Sequence, residues 1–141
     1  MQNPNARIVA LDIGAKRIGV ASANVVARLA APLKTLAVTD DIIDEIKQLL
    51  AEQTASALVL GLPRGMQGQE TEQTKTIEAF GEQLKQQITV PIYWQDEAMT
   101  SKLSEAELNA SNKSYTKGSI DALAATYILE DFLNSKASQP E

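Results

Sequence analysis

The segment SALVLGLP (residues 56–63) is a continuous apolar run closed by glycine and proline. It lacks polar alternation, so a strand made from it must be covered on both faces. That is the position of a central parallel strand in an α/β sheet. The flanking sequence supplies the covers. In DDIIDEIKQLLAEQT, Ile42, Ile43, Ile46, Leu49 and Leu50 recur at helical spacing, with Asp40 or Asp41 placed to cap the first turn. Beyond the glycine-rich GLPRGMQGQE, a second helix is expected over about 71–87, with Ile77, Phe80 and Leu84 along one side.

The N-terminal part has a different period. RIVALDI (7–13) alternates, with Val9, Leu11 and Ile13 on one face and Ile8, Ala10 and Asp12 on the other. Gly14 to Lys16 form a tight connection, RIGVASA returns as a second strand, and LKTLAV (33–38) gives a third. Three short consecutive strands make an antiparallel meander. Late in the chain, ITVPIYWQDE (88–97) reads as a strand whose Pro91 favours an outer position or a bulge. SEAE (104–107) has capping-box spacing for a short helix, ASNKSYTKGS (110–119) reads as a mobile loop, and a last helix spans about 120–134. The expectation is one domain over 1–141, ordered from about 5 to 135, with 136–141 as a disordered tail. The order β-β-β-α-β-α-β-α describes a mixed five-stranded sheet, three antiparallel strands followed by parallel ones, flanked by helices. This is the α/β layout of the RNase H-like fold.

Composition narrows the chemistry. The 141 residues include neither histidine nor cysteine. Histidine bases, Ser-His-Asp and Cys-His catalysis, disulfides and thiolate or imidazole metal sites are therefore excluded. Hydrolytic chemistry has to rest on carboxylates, lysine, tyrosine, hydroxyls or a hard metal ion. No GxxxxGK spacing supports a P-loop. No apolar run reaches the ~20 residues that span a bilayer, and the N-terminus has no signal-peptide layout, so a cytoplasmic protein is expected. The net charge of −5 is unevenly spread. Residues 1–35 carry Arg7, Lys16, Arg17, Arg28 and Lys34 against the single acid Asp12, a balance of +4, which leaves −9 on the remainder. A basic N-terminal segment on an acidic chain is compatible with a local nucleic-acid contact, and equally with a generic acidic globular protein.

Three acidic positions stand out. Asp12 interrupts an apolar strand face, where a carboxylate requires a partner. Asp96 and Glu97 close the last strand. Asp121, expected in the first turn of the last helix, continues the face made by Ala124, Ala125, Ile128 and Phe132 and so points toward the sheet. Taken singly, an acid at a helix start also serves the helix dipole, and an acidic pair after a strand is ordinarily solvated. Gathered together, the carboxylates repel one another, and a hard divalent cation relieves that repulsion. Mg²⁺ or Mn²⁺ matches a donor set without His or Cys. Lys16, Arg17, Arg64 and Lys117 are candidate phosphate contacts, and Lys16 and Arg17 suit a solvated hairpin tip equally well. Tyr93, Trp94 and Tyr127 read as packing residues before base-stacking ones.

LDIGAKRIGVA, LVLGLP, DEAMTS and KGSIDALAATYIL occur in the order and spacing of the YqgF (RuvX) family, and the chain resembles that family over roughly residues 7–134. The resemblance implies a small bacterial RNase H-like nuclease acting on precursor 16S ribosomal RNA, or a Holliday-junction resolvase, with structured RNA or branched DNA as partner and a monomer or weak homodimer as the unit. A non-catalytic ribosome-assembly factor is the third reading. The implied metal ligands and catalytic residues are Asp12, Glu97 and Asp121, with Asp96 as an auxiliary ligand. The hydroxyls Thr100 and Ser101 match those that follow the family's acidic pair. Ala98 stands where the family usually has arginine, and RGMQG replaces a more typical N-x-D-G stretch.

Overall fold

The computed structural model describes residues 4–63, 71–97 and 117–134, with the side chains of residues 97 and 117–119 excepted. Its elements in chain order are β1 (Arg7–Ile13), β2 (Arg17–Asn24), β3 (Ala31–Ala37), α1 (Ile42–Glu52), β4 (Ala55–Pro63), α2 (Glu72–Gln87), β5 (Ile92–Glu97) and α3 (Lys117–Leu133). The five strands form one sheet in the order β3-β2-β1-β4-β5. β1 pairs antiparallel with β2 and β2 with β3, whereas β1–β4 and β4–β5 are parallel. The mixed sheet expected from the sequence is therefore present, with β1 at its centre.

Strand alternation divides the core in two. Val9, Leu11 and Ile13 of β1 join Ile18, Val20, Leu58, Leu60 and Leu62 under α1 and α2, through Ile42, Ile46, Leu49, Ile77 and Leu84. The other face is built of smaller residues. Ile8, Ala10, Ala21, Ala23, Ala57 and Val59 lie under Ala125, Ile128, Leu129 and Phe132 of α3. β4 is buried along nearly its whole length, as its uniform apolar sequence requires.

Several boundaries differ from expectation. β5 begins at Ile92 rather than residue 88. Pro91 has no N–H to donate, so only its carbonyl joins the sheet, accepting from the Leu58 amide at 2.9 Å. β3 starts two residues earlier than expected and takes in Pro32, which an edge strand tolerates; its register shifts between Val20 and Ala21. Asp41 occupies the N-cap position of α1 without making a side-chain capping bond. α2, by contrast, has a Thr71–Thr74 capping box, and the buried Thr74 hydroxyl donates to the Pro63 carbonyl at 2.6 Å, tying α2 to the end of β4. α3 begins at Lys117, inside the stretch expected to be a loop. Gly118 is thus a residue of the first turn and does not precede the helix, since one glycine costs a helix only ~1 kcal/mol. The short helix at 104–107, most of the 110–119 loop and the tail from 136 lie outside the described residues.

Candidate active site

The site lies on the small-residue face, where β1 and β2 meet the N-terminal part of α3. Asp12 is half-buried near the end of β1. Its register partner on β2 is Gly19. A Cβ at position 19 would overlap the backbone carbonyl of Asp121. The helix backbone therefore rests directly on that glycine, and this close approach brings the first turns of α3 down to Asp12. Asp121 is the fifth residue of α3, one turn further in than a first-turn acid, so its placement is set by packing more than by the helix terminus. The residues after it on the same face, Ala124, Ala125, Ile128 and Phe132, are all buried.

Proximity and burial mark Asp12 electrostatically. Loss of hydration raises its pKa from 3.8 to about 6, and the charge of Asp121 pushes in the same direction. Asp121 is itself paired: Arg17 Nε donates to its Oδ2 at 2.8 Å. Arg17 stands at the start of β2, directly after the Gly14–Lys16 connection. That turn is closed by the Gly14 amide donating to the Arg17 carbonyl at 2.9 Å. A Cβ at Gly14 would lie 2.7 Å from that same carbonyl oxygen, which explains the glycine.

The other sequence candidates fall as follows. Lys16 is exposed in the turn beside Arg17. Alternation along β5 gives position 97 the parity of Tyr93, whose ring meets Phe132 of α3 with centroids 5.3 Å apart. Asp96 shares the parity of Trp94, whose indole lies against Gly81 of α2 on the opposite side of the sheet. The backbone thus places position 97, not 96, on the side of the sheet that holds Asp12. Positions 97 and 12 are two strands apart, a lateral separation of about 10 Å. Lys117 opens α3. Arg64, Ala98, Thr100 and Ser101 lie outside the described residues. Tyr93 and Trp94 serve packing as expected, each retaining 39% exposure.

Two features escaped the sequence reading. Gly19 carries the seat for α3, a role signalled only by its sharing a strand face with Ala21, Ala23 and, across the ladder, Asp12. The Arg17–Asp121 pair joins residues 104 positions apart. No local pattern encodes that separation.

The donor chemistry fits a hard divalent ion. Asp12 and Asp121 offer only carboxylate oxygens, Asp12 is destabilised as an anion when no cation is near, and the chain holds no histidine or cysteine. Among the described residues no cluster of three or more candidate ligands is present. A complete set requires a donor from outside the described side chains.

A sequence profile of the RuvX family, described as Holliday junction resolvase, matches residues 6–135. The chain belongs to the RuvX family. Its relatives include a protein of Rickettsia bellii (strain OSU 85-389), 37% identical over 136 residues that cover 94% of this chain and 88% of the relative. Another, from Chloroflexus aurantiacus (strain ATCC 29366 / DSM 635 / J-10-fl), is 36% identical over 137 residues, covering 94% and 90%. Both carry the name "Putative pre-16S rRNA nuclease". Among solved structures, T. thermophilus RuvC in complex with a Holliday junction substrate aligns with a TM-score of 0.53 at 16% identity, over 91% of this chain and 94% of that one. The fowlpox virus Holliday junction resolvase aligns at 0.50 and 15% identity, over 90% and 96%. At these identities the likeness is one of fold, and it bears out the RNase H-like architecture expected from the element order.

Proposed function

We propose that this RuvX-family chain is a divalent-metal-dependent endonuclease that hydrolyses phosphodiester bonds in structured nucleic acid, with the precursor of 16S ribosomal RNA as its substrate. The observation that carries the reading is the convergence of Asp12 and Asp121 over Gly19, with Asp12 raised to about 6 by burial and by its neighbour. A fold has no structural need for a half-buried, uncompensated Asp12 beside a second carboxylate at the meeting of a strand and a helix. A cation-binding site does have that need. The relatives' names supply the substrate.

In this reading Asp12, Asp121 and Glu97 hold Mg²⁺ or Mn²⁺, and Asp96, on the other strand parity, supports Glu97 from outside the site. The ion, when bound, supplies positive charge to the phosphate under attack and lowers the cost of generating a nucleophilic water. The chain's own residues do the positioning. β1 fixes Asp12 through its ladder to β2 and β4. α3 fixes Asp121 through its packed apolar face. Lys16 in the exposed turn, Arg64, Lys117, Thr100 and Ser101 contact the nucleic-acid backbone. The unit is a single domain over 1–141 acting in the cytoplasm; no helix among the described residues is long and apolar enough to cross a membrane.

Incubation of labelled precursor ribosomal RNA and of a four-way DNA junction with the protein, in Mn²⁺ or in EDTA, decides the matter. Metal-dependent cleavage of the RNA, absent in Asp12→Asn and Asp121→Asn, is the expected result. Cleavage of the junction alone would reassign the substrate to recombining DNA, as the family's description suggests. Binding of RNA without cleavage of either probe would make the chain a ribosome-assembly factor and refute the enzyme.

A further inference from the structure

We propose that Arg17 bridges the site: its Nε holds Asp121 in place while its two Nη groups receive a phosphate oxygen of the nucleic-acid backbone. The inference rests on the nuclease reading above and assigns a residue to its substrate contact. Arg17 lies on the same face of β2 as Gly19, two positions before the glycine on which α3 rests. Its Nε–Oδ2 bond to Asp121 uses one of five guanidinium N–H donors. Among the described residues the Nη groups have no hydrogen-bond partner, and the side chain stays 39% exposed. The free edge of a planar fork is thus held rigidly next to the carboxylate pair and open to solvent.

Electrostatics favours such a group. A polyanion approaching Asp12 and Asp121 is repelled by their charge, and Arg17, ion-paired to Asp121, is a cation of the chain itself set against that repulsion, beside any ion the carboxylates hold. A guanidinium can satisfy a carboxylate along one edge and a phosphate along another at once, because its donors have fixed directions. An ammonium at the same position is a point charge on a flexible stem and serves one partner at a time. Arg17 therefore fixes the distance between the bound phosphate and Asp121. It is a positioning residue for Asp121 and a direct contact for the substrate.

The test compares wild type, Arg17→Ala and Arg17→Lys on two fluorescein-labelled probes, an RNA hairpin with single-stranded flanks and a four-way DNA junction. Affinity is measured in EDTA across a salt series, and single-turnover cleavage is measured in Mn²⁺ at saturating protein. Arg17→Ala is expected to lose about tenfold in affinity and about one from the salt slope, the mark of one lost phosphate contact. Arg17→Lys is expected to recover affinity and slope yet cleave at least about tenfold more slowly, because its charge reaches the phosphate without holding Asp121. A merely structural ion pair would leave the salt slope unmoved. An unchanged slope in Arg17→Ala, or wild-type cleavage by Arg17→Lys, overturns the proposal. Wild type that cleaves neither probe refutes the nuclease reading instead; the slope then decides the phosphate contact alone, an unchanged slope overturning it and a reduced one sustaining it.

Discussion

Asp12→Asn should make the metal-free protein more stable at neutral pH while abolishing its activity. A carboxyl whose pKa rises from 3.8 to about 6 on folding binds its proton more tightly in the folded state than in the unfolded one. Below pH 3.8 both states are protonated and the carboxyl carries no penalty. Between 3.8 and about 6 the folded protein must progressively release a proton it favours, so stability falls as pH rises through that window. Above about 6 the penalty is complete, and at ~1.4 kcal/mol per tenfold change in proton affinity it amounts to about 3 kcal/mol. An asparagine has the same shape and no charge. Its amide N–H groups bring an unmet hydrogen-bonding cost of about 1 kcal/mol, leaving a net gain of about 2 kcal/mol. For a domain of this size that is about 6 °C in melting temperature. Thermal melts of both proteins in EDTA from acid to neutral pH measure it. The difference between the two cancels the other seventeen acidic groups, which the proteins share. The gap should be small near pH 4, widen up to about pH 6 and stay constant beyond. A variant that melts at or below wild type at pH 7.5, or a gap that ignores pH, would refute the burial of an uncompensated charge at Asp12.

Other outcomes follow from the same packing and charge. Saturating Mg²⁺ or Mn²⁺ should raise the melting temperature of wild type by mass action, by about 2.7 kcal/mol of stability at a hundredfold excess over the dissociation constant, and leave Asp12→Asn unmoved; equal shifts in both would place the ion elsewhere. Gly19→Ala should destabilise more than Gly61→Ala, because the new methyl meets the immobile Asp121 backbone in one case and the movable Cδ1 of Ile128 in the other. About 3 kcal/mol or more against about 1 kcal/mol is expected by denaturant titration, with Gly19→Ala alone also weakening metal binding. Gly81→Ala places a methyl 2.5 Å from the Trp94 ring. The protein's single tryptophan should then shift its emission to the red.

What the sequence made legible is what repeats locally. Two-residue alternation assigned Asp12 to the face opposite Leu11 and Ile13, and helical spacing put Asp121 in line with Ala125 and Ile128; both placements hold because a buried face enforces its period. The unbroken apolar run of β4 announced its burial for the same reason. Punctuation was less dependable. Gly118 was expected to precede a helix that in fact contains it, and residues 88–91 were expected in a strand that starts only after Pro91, since a single glycine or proline shifts an end by less energy than tertiary packing supplies. The mixed sheet followed from the order of the elements, but the Arg17–Asp121 pair was beyond reach, being decided by a contact across the whole chain.

The unequal faces of the sheet connect these points. Leucines and isoleucines under α1 and α2 hold those helices at ordinary distance, while Gly19, Ala10, Ala21 and Ala57 let α3 settle close to the strands. A sheet packed for stability alone has no reason to carry so little side chain on its α3 face, and larger residues there would bury more apolar area. The close approach brings Asp121 near Asp12, whose pKa is raised first by burial and then by the charge of Asp121. The small residues and the destabilised carboxylate are therefore a single feature, a stretch of core thinned so that α3 carries Asp121 close to Asp12.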